Sequence, residues 1–253
     1  MTLQDLIAAL ELPAISRVDQ RIPKKLLVEN GAPTAADKRY ISEGIEEIQW
    51  VATLKPSTVG VPEYRDETCE YIEIAVLHIA LRQNAKISRI AELTHRAVPY
   101  PLVLLLTMND ELIISMANIR WAQNEAGKVV LDGEPVAVAP NGQSASPDIF
   151  PAFLQALSIT HQLRTNLKVL YHGWLDTLAA YQAAQITGVF AQGKTVEQSV
   201  ARRASLLECR ELEQQITALR AAATKEKQVA RQVALNLEIK LLQAKQQQAV
   251  TKL

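Results

Sequence analysis

The first 140 residues alternate between a helical and a strand-like spacing of apolar side chains. Residues 2–11 and 86–97 place apolar groups three or four positions apart, which predicts amphipathic helices. A further helix is predicted from Thr34 to about Glu47, because Pro33, Thr34 and Asp37 form a typical helix start. Apolar and β-branched runs predict strands at residues 50–54, 71–81, 102–107 and 111–117.

Two turn signals indicate how strands in this region pair. Asn109-Asp110 separates two apolar strands, and Asp132-Gly133 separates residues 128–131 from 134–138, so each predicts a β-hairpin. Pro135 has no backbone N–H to donate, which favours an edge position for its strand. The predicted fold class is α+β, with a mixed or antiparallel sheet and packed helices in a domain spanning residues 1–140.

The pattern becomes entirely helical after a cluster of turn-forming residues at 140–147. Residues 150–163 and 167–186 predict a helical hairpin, assigned to a second domain at 148–190. Residues 194–253 contain neither glycine nor proline and predict one uninterrupted helix. At 1.5 Å per residue this helix would extend roughly 90 Å, too far to pack only on its own domain, so we expect it to bind a partner.

Apolar residues along this C-terminal helix follow a heptad-like pattern that is typical of a coiled coil. Glu226 occupies one core position as a polar break, and Leu241 and Leu242 fall out of phase. Pairing with a second copy is the simplest arrangement, in either parallel or antiparallel orientation; a solvated or back-folded helix is the alternative. The predicted assembly seam consists of Leu212, Ile216, Leu219, Val233 and Leu237.

Charge is distributed unevenly although the whole chain has a formal net charge of zero. Residues 194–253 carry eleven Lys and Arg against six Asp and Glu, whereas the preceding residues carry sixteen against twenty-one. The basic C-terminal region could therefore contact a phosphate backbone or an acidic protein, and a second basic patch with an aromatic neighbour lies between Arg21 and Tyr40. The candidate nucleic-acid contacts are Lys24, Lys25, Arg220, Lys225, Lys227 and Arg231.

The sequence lacks the motifs that mark several common cofactor-binding and metal-binding sites. Neither a phosphate-binding loop nor a dinucleotide-binding glycine motif occurs, the four histidines are dispersed, and only Cys69 and Cys209 could supply thiols. We therefore expect no cofactor, no metal site and no disulfide framework. No signal-peptide pattern or membrane-spanning apolar run is found, so the expected location is the cytoplasm.

A divergent metal-dependent nuclease of the PD-(D/E)XK type is the enzymatic alternative. Such an enzyme needs carboxylates to hold Mg²⁺ and a nearby lysine to support the attacking water. Asp66, Glu70 and Glu73 could supply the carboxylates, but no Glu-x-Lys occurs on a predicted strand. The pattern therefore favours a non-catalytic protein.

Motifs along most of the chain resemble those of a bacterial family, domain-of-unknown-function family 4391. They include Arg21-Ile-Pro-Lys-Lys25, Ile48-Gln-Trp50, the run at residues 71–76, His95-Arg-Ala-Val-Pro-Tyr-Pro101 and the run at residues 120–127. The resemblance assigns no catalytic role. It implies a gene neighbourhood with helicases and site-specific DNA methyltransferases in restriction or anti-phage defence clusters.

These observations lead to a first hypothesis of a non-catalytic accessory or scaffolding subunit in a DNA-directed complex. Its α+β body would bind a helicase or methyltransferase, and its C-terminal helix would pair with itself or a partner. The nuclease and a freestanding DNA-binding protein are the alternatives.

Overall fold

The computed structural model describes residues 2–122, 129–140, 149–193 and 195–253. The chain forms two compact units, Met1–Leu178 and Ala179–Leu253. The predicted boundary at residues 140–147 lies, apart from Pro140, outside the described residues, and the predicted three-part domain division stays a prediction. The described helices are α1 (Leu3–Ala9), α2 (Lys24–Gly31), α3 (Ala35–Gly44), α4 (Pro56–Val59), α5 (Ile87–Ala97), α6 (Ile149–Leu157), α7 (Leu167–Thr187), α8 (Val196–Lys225) and α9 (Val229–Val250).

The strands form a six-stranded mixed sheet and two short ladders. They are β1 (Arg17–Arg21), β2 (Ile45–Leu54), β3 (Tyr64–Arg65), β4 (Glu70–Tyr71), β5 (Ile74–Leu81), β6 (Leu102–Met108), β7 (Glu111–Met116), β8 (Ile119–Trp121), β9 (Val129–Leu131) and β10 (Val136–Val138). The large sheet has the order β1-β2-β5-β6-β7-β10, and β3-β4 and β8-β9 are the ladders. Only β5 and β6 run parallel among the described pairs of the large sheet, so the predicted mixed sheet with packed helices is confirmed.

The hairpin predicted at Asn109-Asp110 is confirmed, since β6 and β7 pair antiparallel and Asn109 takes a positive φ of 54°. The hairpin predicted at Asp132-Gly133 is wrong. β9 pairs with β8, whereas β10 pairs with β7 at the edge of the large sheet. The edge position predicted from Pro135 is confirmed, since β10, which begins directly after it, is the last strand of the large sheet.

The helix predicted to continue to Glu47 ends at Gly44, where β2 begins. The Gly44 carbonyl accepts a hydrogen bond from the Arg82 backbone N–H at 2.8 Å, which ties the end of α3 to the end of β5. Register shifts at Ile45/Glu47 and Trp50/Ala52 interrupt the alternation of β2. These β-bulges explain why the first half of the strand lacks a period-two pattern.

The core of the first unit lies on both faces of the central strands, since successive residues of β5 and β6 are buried. One hydrophobic cluster joins Leu77 and Leu104 of these strands to Leu27, Ile41 and Ile90 of α2, α3 and α5. α2 and α5 approach closely at a glycine: a Cβ atom on Gly31 would lie 2.7 Å from the Cβ of Ala97. This packing fixes the helices on that face of the sheet.

Tyr171 anchors α7 to the ends of β6 and β7. Its side chain is fully buried, and its hydroxyl accepts a hydrogen bond from the Ala117 N–H at 3.1 Å. The same hydroxyl lies 3.0 Å from the Leu102 carbonyl oxygen and 2.9 Å from that of Ala117, to which it donates. One phenol oxygen therefore satisfies backbone groups that are shielded from water.

Replacing Tyr171 with phenylalanine is expected to destabilise the first unit by about 1–3 kcal/mol, because the Ala117 N–H would stay buried without an acceptor. Urea unfolding followed by tryptophan fluorescence would measure the change. Tyr40→Phe is the matched control, since the Tyr40 side chain is 38% exposed. Equal unfolding midpoints for the two variants would contradict this role of the hydroxyl.

Candidate interaction surfaces

Residues 195–253 form two helices, so the prediction of a single uninterrupted helix is wrong. α8 ends at Lys225, and Glu226 has an extended backbone with φ −73° and ψ 131°. The Glu226 Oε1 atom accepts hydrogen bonds from the backbone N–H groups of Lys227 at 2.8 Å and Gln228 at 2.9 Å. The Glu226 carboxylate thus provides an acceptor for the free backbone N–H groups of the turn. α9 then begins at Val229, and the connection contains no glycine or proline.

α9 folds back along α8 to make an antiparallel hairpin, which was the back-folded alternative. Residues further along α9 meet residues earlier in α8: the Gln232 amide donates to the Ala223 carbonyl at 3.3 Å, and the Gln246 amide donates to Glu213 at 2.8 Å. The buried side chains of the two helices include Leu206, Cys209, Leu212, Ile216, Ala223, Ile239 and Ala249. The hairpin therefore has an apolar interior of its own.

The hairpin separates the residues of the predicted seam into two groups. Leu212 and Ile216 are buried inside the second unit, at 8% and 0% exposed, and Leu219 is half-buried. Val233 and Leu237 remain 53% and 58% exposed. The five residues thus do not form one surface, and only the α9 members are available to another molecule.

The exposed α9 residues belong to a longer apolar row, here called the α9 stripe. It consists of Val229, Val233, Leu237 and Leu241, which are 73%, 53%, 58% and 66% exposed. Residues four apart lie next to one another on a helix, so these side chains form a continuous ridge. Leu241 fell out of phase in the heptad pattern because the ridge has a period of four instead of three and a half.

Four of the predicted nucleic-acid contacts lie near the turn of the hairpin. Arg220, Lys225, Lys227 and Arg231 are all exposed. Arg220 lies 3.9 Å from Glu213, whereas the other three form no ion pair within the described residues. The turn brings the end of α8 and the start of α9 together, so these cations share one end of the hairpin.

The two N-terminal candidates have local partners. The Lys24 ammonium donates to the carbonyl oxygens of Ile45 at 2.9 Å and Ser42 at 3.4 Å, where it satisfies the C-terminal end of α3. Lys25 lies 3.4 Å from Glu29, one helical turn away, and both side chains are more than half exposed. Lys24 therefore has a structural contact that its sequence position did not reveal.

Asp66, a candidate nuclease carboxylate, is occupied by hydrogen bonds from its own loop. It accepts from the Thr68 hydroxyl and N–H at 2.7 Å each, from the Tyr64 hydroxyl at 2.8 Å and from the Cys69 N–H at 2.7 Å. Lys168 lies 3.3 Å away and sits over the Tyr64 ring. These hydrogen bonds, those of Thr68 foremost, hold the pKa of Asp66 well below its usual range.

The other two candidate carboxylates each have a separate cation. Glu70 lies 3.4 Å from Arg65, and the mostly buried Glu73 lies 3.0 Å from Lys55. Within the parts of the chain that the structure describes, no three His, Cys, Asp or Glu side chains are grouped so that they could hold a metal ion. Asp66, Glu70 and Glu73 thus each serve a local contact.

The histidines in the sheet region occupy internal positions. His95 on α5 is 4% exposed, and its Nε2 atom lies 3.0 Å from the Ser115 hydroxyl. Burial lowers the pKa of His95 to about 3. His78 contacts the Thr107 hydroxyl at 2.9 Å, and burial lowers its pKa as well. Both imidazoles are therefore neutral at pH 7.

Comparison with known proteins gives one match. The family model described as Domain of unknown function (DUF4391) matches residues 10–245. No curated protein and no solved structure matches the chain. Among the described helices, none combines the length and the apolar character needed to cross a membrane. Because the family model covers both units and reaches into α9, the chain belongs to the DUF4391 family.

Proposed function

We propose that this chain is a non-catalytic accessory subunit of a DNA-directed complex of the restriction or defence type, and that it assembles through the α9 stripe. The exposure of the α9 stripe is the observation that supports this proposal. Its four large apolar side chains are each more than half exposed and lie on one ridge of a 22-residue helix. Water contact with this much contiguous apolar surface is unfavourable, and such surfaces mark protein interfaces.

The occupant that best fits the stripe is the stripe of a second copy in antiparallel orientation. Four apolar residues at equal spacing are self-complementary about a two-fold axis: Val229 then lies opposite Leu241, and Val233 opposite Leu237. In this register Lys240 faces Ala230. A parallel pair would place Lys240 against Lys240, which is unfavourable.

The spacing of the stripe also indicates how two copies cross. Ridges formed by residues four apart interdigitate when helices cross at about −50°, whereas a heptad coiled coil needs about +20°. The proposed dimer is therefore a crossed pair of hairpins and differs from the extended coiled coil predicted from sequence. A contact limited to one helix face is small, so we expect a dissociation constant on the order of micromolar.

The DNA-directed part of the proposal draws on the helicase or methyltransferase neighbours that the family resemblance implies. The exposed cations at the turn of the hairpin are compatible with a nearby phosphate backbone. In this arrangement the first unit binds the enzyme, and the hairpin joins two subunits.

Sedimentation velocity over about 1–100 μM would test the assembly. The wild-type chain is expected to change from monomer to dimer over this range, and Val233→Glu/Leu237→Glu is expected to stay monomeric because it places charges at the centre of the contact. Ile15→Glu/Leu163→Glu, at two residues each 73% exposed in the first unit, is the matched control and should dimerise normally. A monomeric wild type, or a stripe variant that dimerises like the control, would overturn the proposal.

Crosslinking would test the orientation. With a thiol crosslinker long enough to span helices that splay apart from a −50° crossing, Val229→Cys mixed with Leu241→Cys is expected to give a covalent dimer, because the antiparallel register places these positions on the same side of the crossing point. Val229→Cys alone should give little product. The reverse result would mean that the stripes pair in parallel.

Affinity purification from the native host would test the enzyme partner. The Val233→Glu/Leu237→Glu variant should retain a helicase or a DNA methyltransferase through its first unit. Recovery of neither enzyme with the wild-type chain would overturn the DNA-directed part of the proposal.

A further inference from the structure

A groove on the first unit lies between α3 and the turn that joins β5 to α5. It encloses about 720 Å³, within the range of small-molecule binding sites. Small residues, among them Ala36, Gly44 and Ala85, keep it open. Its larger lining residues are Arg39, Tyr40, Glu43, Gln83, Asn84 and Lys86, and we call it the Tyr40 groove.

The walls of the Tyr40 groove are held in place by contacts behind it. Arg89 on α5 binds the buried carboxylate of Asp37 on α3 through two hydrogen bonds of 2.8 and 2.9 Å. Where the two helices meet, a Cβ atom on Gly44 would lie 2.8 Å from the Ile90 side chain. The Arg82 guanidinium donates to the Glu43 carbonyl at 3.3 Å. These contacts pre-form the groove, which reduces the cost of ordering it around a ligand.

The groove presents polar groups that the protein itself does not use. Within the described residues, the Tyr40 hydroxyl and the amides of Gln83 and Asn84 have no hydrogen-bond partner, and Lys86 has no carboxylate partner. Tyr40 is 38% exposed, and the Gln83, Asn84 and Lys86 side chains are exposed. An aromatic face therefore lies beside two side-chain amides, each with donor and acceptor atoms.

The charge around the groove favours an anionic ligand. Arg39 is neutralised by Glu43 at 3.0 Å. Lys86, which also lines the groove, is exposed and forms no ion pair with a carboxylate in the described part of the chain. The lining of the groove thus carries one cation that no carboxylate pairs.

We propose that the Tyr40 groove binds single-stranded nucleic acid. One base stacks on the Tyr40 ring, the amides of Gln83 and Asn84 contact its edge, and Lys86 contacts a backbone phosphate. Stacking on an exposed aromatic ring needs a base that is free of its own duplex stack, so single strands are preferred over duplexes. The groove and the α9 stripe share no residue, and the inference is independent of the assembly proposal.

Fluorescence anisotropy with labelled 12-nucleotide single-stranded DNA, single-stranded RNA and duplex DNA would test the inference on the full chain. Either single strand is expected to bind at least tenfold more tightly than the duplex. Comparing single-stranded DNA with single-stranded RNA shows which nucleic acid the groove prefers. Tyr40→Ala should raise the dissociation constant roughly tenfold or more, whereas Tyr40→Phe keeps the ring and should retain most of the affinity. Lys86→Gln should weaken binding and lower the slope of affinity against salt by about one phosphate contact.

Two controls separate this site from others. Lys227→Gln at the turn of the hairpin should leave binding by the groove unchanged, and the monomeric Val233→Glu/Leu237→Glu chain should bind a single strand as well as the wild type does. The inference is overturned if no single strand binds, if duplex DNA is preferred, or if Tyr40→Ala binds like Tyr40→Phe. If Lys227→Gln loses binding and Tyr40→Ala keeps it, the inference is also overturned, and the contact lies at the hairpin.

Discussion

Replacing Ile216 with alanine is expected to destabilise the C-terminal hairpin by about 2–5 kcal/mol, because the change removes a fully buried side chain and leaves a cavity. The same truncation at Leu237, which is 58% exposed, is expected to change the stability by less than about 0.5 kcal/mol. Both residues belong to the seam predicted from sequence. Comparing the two variants therefore distinguishes a residue that stabilises the hairpin from one that faces outwards.

Amide hydrogen exchange followed by mass spectrometry is the suitable measurement, because the three tryptophans all lie in the first unit and do not report on the hairpin. At a low protein concentration, peptides from α8 and α9 should exchange at least about thirtyfold faster in Ile216→Ala than in the wild type. Leu237→Ala should exchange like the wild type under these conditions. Similar exchange in both variants would contradict the division of the seam.

Acidification is expected to destabilise the first unit well above the pH at which its carboxylates titrate. The His95 pKa is lowered by burial to about 3, whereas an unfolded histidine titrates near 6.5, so the unfolded chain binds the proton first. Stability from this group is complete above about pH 6.5 and is lost as the pH falls towards 3. Between pH 7 and 5 the loss should reach about 2 kcal/mol.

Urea unfolding at pH 7, 6 and 5, followed by tryptophan fluorescence, would measure this loss. His95→Gln, which can still contact Ser115, should show a smaller dependence on pH even if it is less stable throughout. Burial also lowers the pKa of His78, so this residue contributes to the dependence of stability on pH that remains in His95→Gln. Arg89 lowers the Asp37 pKa to about 2, so that carboxylate affects stability only below about pH 4. Identical slopes for wild type and His95→Gln would contradict the role of His95.

Local patterns sufficed for elements whose contacts lie close in sequence. The three-to-four spacing of Ile87, Ile90, Ala91 and Leu93 predicted α5, and the apolar run after Pro101 predicted β6. By contrast, the bulges of β2 hid its alternation, and the partners of β9 and β10 depend on strands that lie elsewhere in the chain. Pairing of this kind is a tertiary property that a short window of sequence does not contain.

The break between α8 and α9 falls on the one polar residue in the predicted apolar core positions. Glu226 interrupted the predicted apolar seam, and the structure places the turn at this residue. The absence of glycine and proline favoured a continuous helix because those residues are the strongest breakers, yet a carboxylate that accepts backbone N–H groups serves the same purpose. The Tyr40 groove was only partly predictable, since Gln83 and Lys86 join Tyr40 through the fold.

The single parallel pair in the described part of the large sheet has a consequence for the order of folding. β6 and β7 are joined by a two-residue turn, and such a hairpin closes within microseconds. β5 and β6 cannot pair in this way, because the chain must first cross the sheet through α5. We therefore expect the β6–β7 hairpin to form early and the docking of α5 between β5 and β6 to limit the folding rate of the first unit.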